Sequence, residues 1–316
     1  MRRLVKNLTQ IAAGFGLNLG LLSIKILPRR LFLFLAQAAA DLGFYLFHRF
    51  RTRSIRNLTL ALGDQLDARQ IASTVRSSLR NFFRDFVETG FALETAPEKI
   101  RTEIPVLGRA HLEAALAKRK GAIALSAHLG NFFLVGTRLS AEGYVTSVLV
   151  NQPANGYFGH LMDRWRLRLG QRTIHARPRR LAFRNLVRAL RRNEITIVIA
   201  DEYRSGSGVL VPFFGRTVAA RRGPATLALR TGAPLVPIYL IRRPDGELKL
   251  IIEPEIELTK SGAIKADVRE NTLRIAEWLE KTVSAYPGQW NWMNVRWRGA
   301  ALGAVAGKEP RYQGST

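Results

Sequence analysis

His128 stands where an imidazole can act as a base. It follows Gly121-Ala122-Ile123-Ala124-Leu125-Ser126, a short apolar run of the kind found in buried strands, and Gly130 and Asn131 break the pattern before a second apolar segment begins. Open α/β sheets keep their active sites at the carboxyl ends of strands. A second run, Ile195-Thr196-Ile197-Val198-Ile199-Ala200, delivers Asp201 and Glu202 at its own carboxyl end. Side chains converging from neighbouring strand ends are how such enzymes assemble acid–base sites. A lone histidine is more often a buried structural residue; the two strand ends together favour chemistry. Ser126 shares a strand face with His128, but no Gly-x-Ser-x-Gly elbow surrounds it, which argues against a serine hydrolase.

The elements that must carry these residues alternate along the chain. Residues 53 to 93 read as helices, with apolar positions at helical spacing from Ala68 to Phe91, and Pro97 ends that region. A short helix over Gly108–Lys118 precedes the first strand, and Phe132–Ala141 reads as helix. Thr146–Val150 reads as a strand, and 157–192 as one or two very basic helices with Pro178 between them. After Ala225–Arg230 come a strand at Leu235–Leu240, an alternating edge strand at Glu247–Glu253 and a closing helix at Val268–Ala285. This order predicts an α/β fold with a largely parallel central sheet covered by helices.

The chain has 316 residues with 47% hydrophobic content, enough for a full core. It has no cysteine, which excludes disulfides, thiolate metal sites and a cysteine nucleophile. None of its five histidines forms a ligand pair, so no bound metal is expected, and no bound cofactor either. The net charge of +25 calls for an anionic partner: nucleic acid, acidic lipid or an acidic protein. Residues 1–60 hold ten Lys/Arg against the single acid Asp41, interleaved with the apolar runs Ile11–Leu27 and Leu31–Phe50. That pattern predicts an N-terminal helical segment lying on an anionic membrane surface. Neither run is a clean span, since a crossing helix needs about 20 apolar residues. Both also suit core helices. No nucleic-acid reading motif is present, so nucleic acid is the weaker partner.

With these features in place, the chain resembles the lysophospholipid acyltransferase superfamily, and within it the bacterial lipid A biosynthesis (lauroyl/myristoyl) acyltransferases. The resemblance rests on the order of Asn57-Leu58, Ser126-Ala127-His128-Leu129-Gly130-Asn131, Arg166 before Gly170, and Val211-Pro212-Phe213-Phe214-Gly215-Arg216. It continues through Gly223-Pro224-Ala225, Thr231-Gly232-Ala233-Pro234-Leu235-Val236-Pro237, Gln289-Trp290-Asn291-Trp292 and Arg296-Trp297. It implies transfer of a fatty acyl chain from acyl carrier protein or acyl-CoA to a hydroxyl of a lipid or glycolipid acceptor, such as a lipid A precursor, at the cytoplasmic face of the bacterial inner membrane. The chain is expected to divide into a membrane-associating segment (1–52), an acyltransferase-like α/β domain (53–300) and a flexible tail (301–316).

One departure stands out. The family's motif places Asp or Glu five residues after the histidine, and here that position is Phe133. The acid would orient the imidazole and stabilise the imidazolium, as Asp does in the Ser-His-Asp triad. Glu202 is the expected replacement, with Asp201 as second choice, because adjacent strand-end residues point in opposite directions. Arg166 is expected to bind substrate phosphate, amid eleven arginines and no acid from Arg164 to Arg192. Arg216, beside Gly215, is expected at an acceptor phosphate or acyl-carrier group. Asn131 suits either an oxyanion donor or a helix cap. Phe132, Phe133, Phe213 and Phe214 are expected to line an acyl pocket. Trp290, Trp292 and Trp297 fit either a headgroup interface or a packed terminal segment. Two rival readings are a catalytically silent lipid-binding relative, which Phe133 favours, and a basic nucleic-acid-binding protein, which only the charge favours.

Overall fold

The computed structural model describes residues 23–24, 26–151, 157–203 and 208–298; the expected tail and the first expected apolar run up to residue 22 lie outside these. Three helices come first: α1 (Arg29–Leu46), α2 (His48–Leu62) and α3 (Ala68–Ala92). The last is the longest, opened by a capping box in which Asp67 accepts from the Gln70 amide and the Gln70 side chain accepts in return. Its buried residues Ile71, Val75, Ser78, Leu79, Asp85, Glu88 and Ala92 form one helical stripe, so one face packs and the other stays wet.

Then follow α4 (Pro97–Glu103), β1 (Val106–Leu107), α5 (Arg109–Ala117), β2 (Ala122–Ser126), a 3₁₀ turn (Phe132–Leu134), α6 (Val135–Ser140), β3 (Thr146–Val150), α7 (Tyr157–Arg168), β4 (Gln171–His175), α8 (Arg179–Arg191) and β5 (Ile195–Ile199). The chain continues with β6 (Val209–Phe213), β7 (Arg216–Ala220), α9 (Gly223–Thr231), β8 (Leu235–Arg242), β9 (Leu248–Ile252), α10 (Ile264–Ala285) and β10 (Trp297–Arg298).

Seven strands make the main sheet in the order β1-β9-β8-β2-β5-β3-β4, all pairs parallel except β8 with β9. This is the expected α/β class. Every residue of β2 is buried, and alternate ones divide between two cores: Ile123 and Leu125 pack with α8, α9 and α10, whereas Ala122 and Ala124 pack with α4, α5 and α6. That is the period-2 consequence of a sheet covered on both faces. Two expectations are corrected, and one sheet is found that was not expected. Within 157–192 the two helices flank a strand, β4, whose mixed polar composition lacks a continuous apolar signature. The hairpin β6–β7 with β10 forms a separate three-stranded antiparallel sheet. The segment at Glu247–Glu253 is not an edge, because the two-residue β1 covers it.

Candidate active site

The register of two parallel strands builds the site. Ser126 pairs with Ile199 at the ends of β2 and β5, and the Ala200 amide donates to Ser126 O at 2.8 Å. Two residues further along each strand stand His128 and Asp201. His128 Nδ1 donates to Asp201 Oδ1 at 2.8 Å, and the His128 backbone N–H donates to Asp201 Oδ2 at 2.9 Å. Trp290 Nε1 donates to the same Oδ2 at 2.8 Å. Asp201 is fully buried and the His128 side chain is 25% exposed. Nε2 is left as the ring nitrogen available to substrate.

This corrects the choice of acid. Parity explains it: Asp201 lies an even number of residues from Ile195 and Ile197 and shares their face, while Glu202 falls on the other. Glu202 instead pairs with Arg221 at 2.6 Å. Burial acts to lower the His128 pKa, but the charge and hydrogen bond of Asp201, with a smaller contribution from Glu202, outweigh it and raise the pKa above 6.5. Burial likewise opposes the Asp201 carboxylate. His128 and the Trp290 donor overcome it and hold the pKa below the usual carboxylate value. The pair thus joins an imidazole of raised pKa to a buried carboxylate of lowered pKa.

The turn carrying His128 is fastened on several sides. Gly130, at φ +53°, donates to Gln289 O, and the Asn131 amide donates to Leu240 O. A Cβ on Gly130 would stand 2.0 Å from Leu240 O, so only glycine fits. Asn131 is fully buried; its side-chain amide donates to Glu88 Oε2 at 3.2 Å and caps no helix. Both expected roles of Asn131 give way to this anchoring one. Glu88 belongs to a buried cluster in which Arg242 donates to Asp85 at 2.7 Å and to Glu88 at 2.6 and 2.9 Å, while Arg84 donates to Glu88 at 2.9 Å. Burial pushes up the pKa of Asp85, and the two arginines keep that of Glu88 low.

Two cavities meet at His128 and Phe132. The larger, about 560 Å³, runs between the strand ends of β3 and β5 and helices α7, α8 and α9. Phe133, Leu149, Trp165, Phe183, Leu186 and Ile197 give it apolar walls, and its exposed lining residues are Asn151, Arg177, Arg179 and Gly223. Arg166 and Glu202 also line it, with Arg166 Nη1 donating to Asp163 at 3.0 Å. The Phe133 ring stacks on Phe132 at 4.1 Å and meets Phe86 at 5.0 Å, so Phe133 is part of an aromatic wall. The smaller cavity, about 350 Å³, is bounded by Phe50, Phe83, Trp290 and Asn291, with Phe47, Phe82 and Met293 exposed.

Other expected site residues stand elsewhere. Among the described residues, neither cavity is lined by Phe213, Phe214, Gly215 or Arg216. Arg216 donates to Leu60 O at 2.9 Å; Phe213 is fully buried against Tyr203, Trp290 and Trp297; Gly215 turns the β6–β7 hairpin at φ +67°. Trp290 and Trp292 are fully buried, so neither meets headgroups. The contact that sequence reasoning missed is that of Trp290, whose indole N–H helps to hold Asp201. Ser126 Oγ is buried without a hydrogen-bond partner among the described residues, which removes it as a nucleophile.

A strand-end His–Asp pair stands at the head of an apolar cavity in a largely parallel α/β fold. Residues 5–299 match the bacterial lipid A biosynthesis acyltransferase family, and the chain belongs to that family. It is 28% identical over 226 residues to a phosphatidylinositol mannoside acyltransferase of Mycolicibacterium smegmatis, covering 71% of this chain and 72% of the relative. It is 24% identical to the lipid A biosynthesis palmitoleoyltransferase of Escherichia coli K12 over 92% of both chains, and 23% identical to the lipid A biosynthesis lauroyltransferase of the same organism over 77% of both. The chain is an O-acyltransferase.

Proposed function

We propose that this enzyme transfers a fatty acyl chain from a carrier thioester to a hydroxyl of a membrane glycolipid, with His128 as general base and Asp201 as its orienting anion. The observation that carries the reading is the His128–Asp201 pair, 2.8 Å apart, opening onto the large apolar cavity. In this scheme Nε2 takes the proton of the acceptor hydroxyl as its oxygen attacks the thioester carbonyl. The tetrahedral intermediate collapses with cleavage of the C–S bond, and the imidazolium returns its proton to the leaving thiolate. The products are an ester and a free thiol. No acyl-enzyme is formed, consistent with the absence of cysteine and the sequestered Ser126. Phe132, Phe133 and the apolar wall take the acyl chain. Arg166 is the phosphate-binding candidate that lies in this cavity.

The acceptor class follows the relatives, which are named for phosphatidylinositol mannoside and lipid A acylation. The exposed apolar residues of α1 support association with a membrane surface, proposed as the cytoplasmic face. The buried side of this helix is the stripe Ala36, Ala40, Gly43 and Phe44, yet Phe34, Leu42, Tyr45, Leu46 and neighbouring Phe47 are also exposed, flanked by Arg49, Arg51 and Arg56. Among the described residues no single helix is long and apolar enough to cross a membrane; the bent pair α1–α2, at 85°, passes only jointly. The test is acyl transfer from labelled acyl carrier protein, or from acyl-CoA, to a bacterial lipid extract. Product from the native enzyme and none from His128→Ala supports the assignment; no product with either donor, despite vesicle binding, overturns it in favour of a silent lipid binder.

A further inference from the structure

The two cavities at His128 open through doorways of opposite character. The smaller one ends at Phe47, Phe82 and Met293, beside the exposed apolar residues of α1. The larger one reaches the surface at Asn151, Gly223, Arg177 and Arg179, the two arginines lying where α8 begins. Along α8 the exposed arginines Arg180, Arg184, Arg188 and Arg191 recur at helical spacing, a stripe about 16 Å long. Its buried side, Ala182, Leu186, Ala189 and Leu190, packs on the sheet. Among the described residues none of Arg177, Arg179, Arg180, Arg184, Arg188 and Arg191 is ion-paired, whereas nearby Arg172 and Arg192 share Glu194. Among the described residues no acidic side chain is paired with this face.

Resting on the acyl-transfer reading above, we propose that the arginine stripe of α8 is the docking surface for an acidic acyl carrier protein, which presents its thioester to His128 through the Arg177–Arg179 doorway. Charge complementarity identifies the occupant. A bilayer would need apolar side chains to insert, and on α8 the only exposed large apolar residue is Leu181; the apolar side chains cluster instead on α1 and at the other doorway. A carrier protein needs acidic side chains set against cations, and the stripe offers four on one face. The soluble donor and the lipid acceptor thus reach one imidazole from different sides, and neither has to leave before the other binds.

The test compares the native enzyme with Arg184→Glu/Arg188→Glu, using acyl carrier protein and a carrier-free acyl-N-acetylcysteamine thioester as donors. Both positions are exposed, and matched thermal melts verify folding. The expected result is a rise of about tenfold or more in KM for the acyl carrier protein, an unchanged rate from the small thioester, and a native KM that climbs with salt. Direct binding of acyl carrier protein, lost in the double variant, supports the proposal independently of turnover. Equal KM values for both enzymes overturn it. Loss of binding to anionic vesicles with carrier binding intact overturns it in favour of a membrane surface. A native enzyme that binds the carrier but transfers nothing from either donor counts against the acyl-transfer reading and not against the docking surface.

Discussion

His128 and Asp201 form a pair whose electrostatics are decided by competition. Desolvation disfavours both charged forms, and their mutual attraction wins. With His128 as the proposed base, the neutral imidazole is the active form, so its raised pKa moves the rise of kcat/KM to higher pH than an ordinary histidine would give. In Asp201→Asn, burial acts with less opposition and that limb moves to lower pH, while kcat falls by about 10³- to 10⁴-fold through loss of the correct tautomer. A pH–rate profile of both proteins checks the direction of the shift. Glu202→Gln breaks only a partly exposed pair with Arg221 and is expected to lower kcat by less than about tenfold. A loss as large as that of Asp201→Asn would return the orienting role to Glu202. The presence of a carboxylate after Ile195–Ala200 was legible in the sequence; which of two adjacent ones meets His128 depended on a register that sequence does not state.

At the scale of elements, the His128 turn is held by β8, α3 and the segment around Trp290 rather than by its own helix. Arg242 sits at the centre of that support, nearly buried with Asp85 and Glu88. Arg242→Met is expected to cost about 3–5 kcal/mol, because it leaves buried carboxylates without their partner. Denaturant unfolding measures this. Gly130→Ala forces a Cβ into the Leu240 carbonyl at a positive φ and should lower the melting temperature and activity together, since the turn must shift. The strands β2, β3, β5 and β8 were readable as apolar runs because a sheet covered on both faces demands them. β4 and the β6–β7 hairpin were not: β4 is partly exposed, with Arg172 and His175 among its five residues, and β6 alternates buried with partly or fully exposed positions on a small separate sheet.

Over the whole molecule, the surface divides into an apolar region at α1 and the α1–α2 elbow and an arginine region at α8, each beside its own entrance to His128. Leu42→Ser/Leu46→Ser removes two exposed apolar side chains without touching the buried stripe of α1. It is expected to weaken binding to anionic vesicles by about tenfold or more, as judged from the cost of leaving apolar side chains in water, with little change in melting temperature. Vesicle co-sedimentation reads this directly. Unaltered binding would transfer the membrane contact to another surface.

The sequence by itself determined the α/β class, the strand that ends at His128, the family, and the excess of cationic charge that must meet an anionic partner. These are local or compositional properties, carried by runs of neighbouring residues. The tertiary structure decided the rest. It chose Asp201 over Glu202 through strand register, recruited Trp290 from 89 residues away to hold that carboxylate, and turned Asn131 inward to Glu88. It also drew Phe213 and Arg216 away from the site while leaving Phe132 and Phe133 in it. Each of these outcomes depends on which strands lie side by side and which faces they share, and contacts between distant segments leave no periodicity in the sequence for a reader to find.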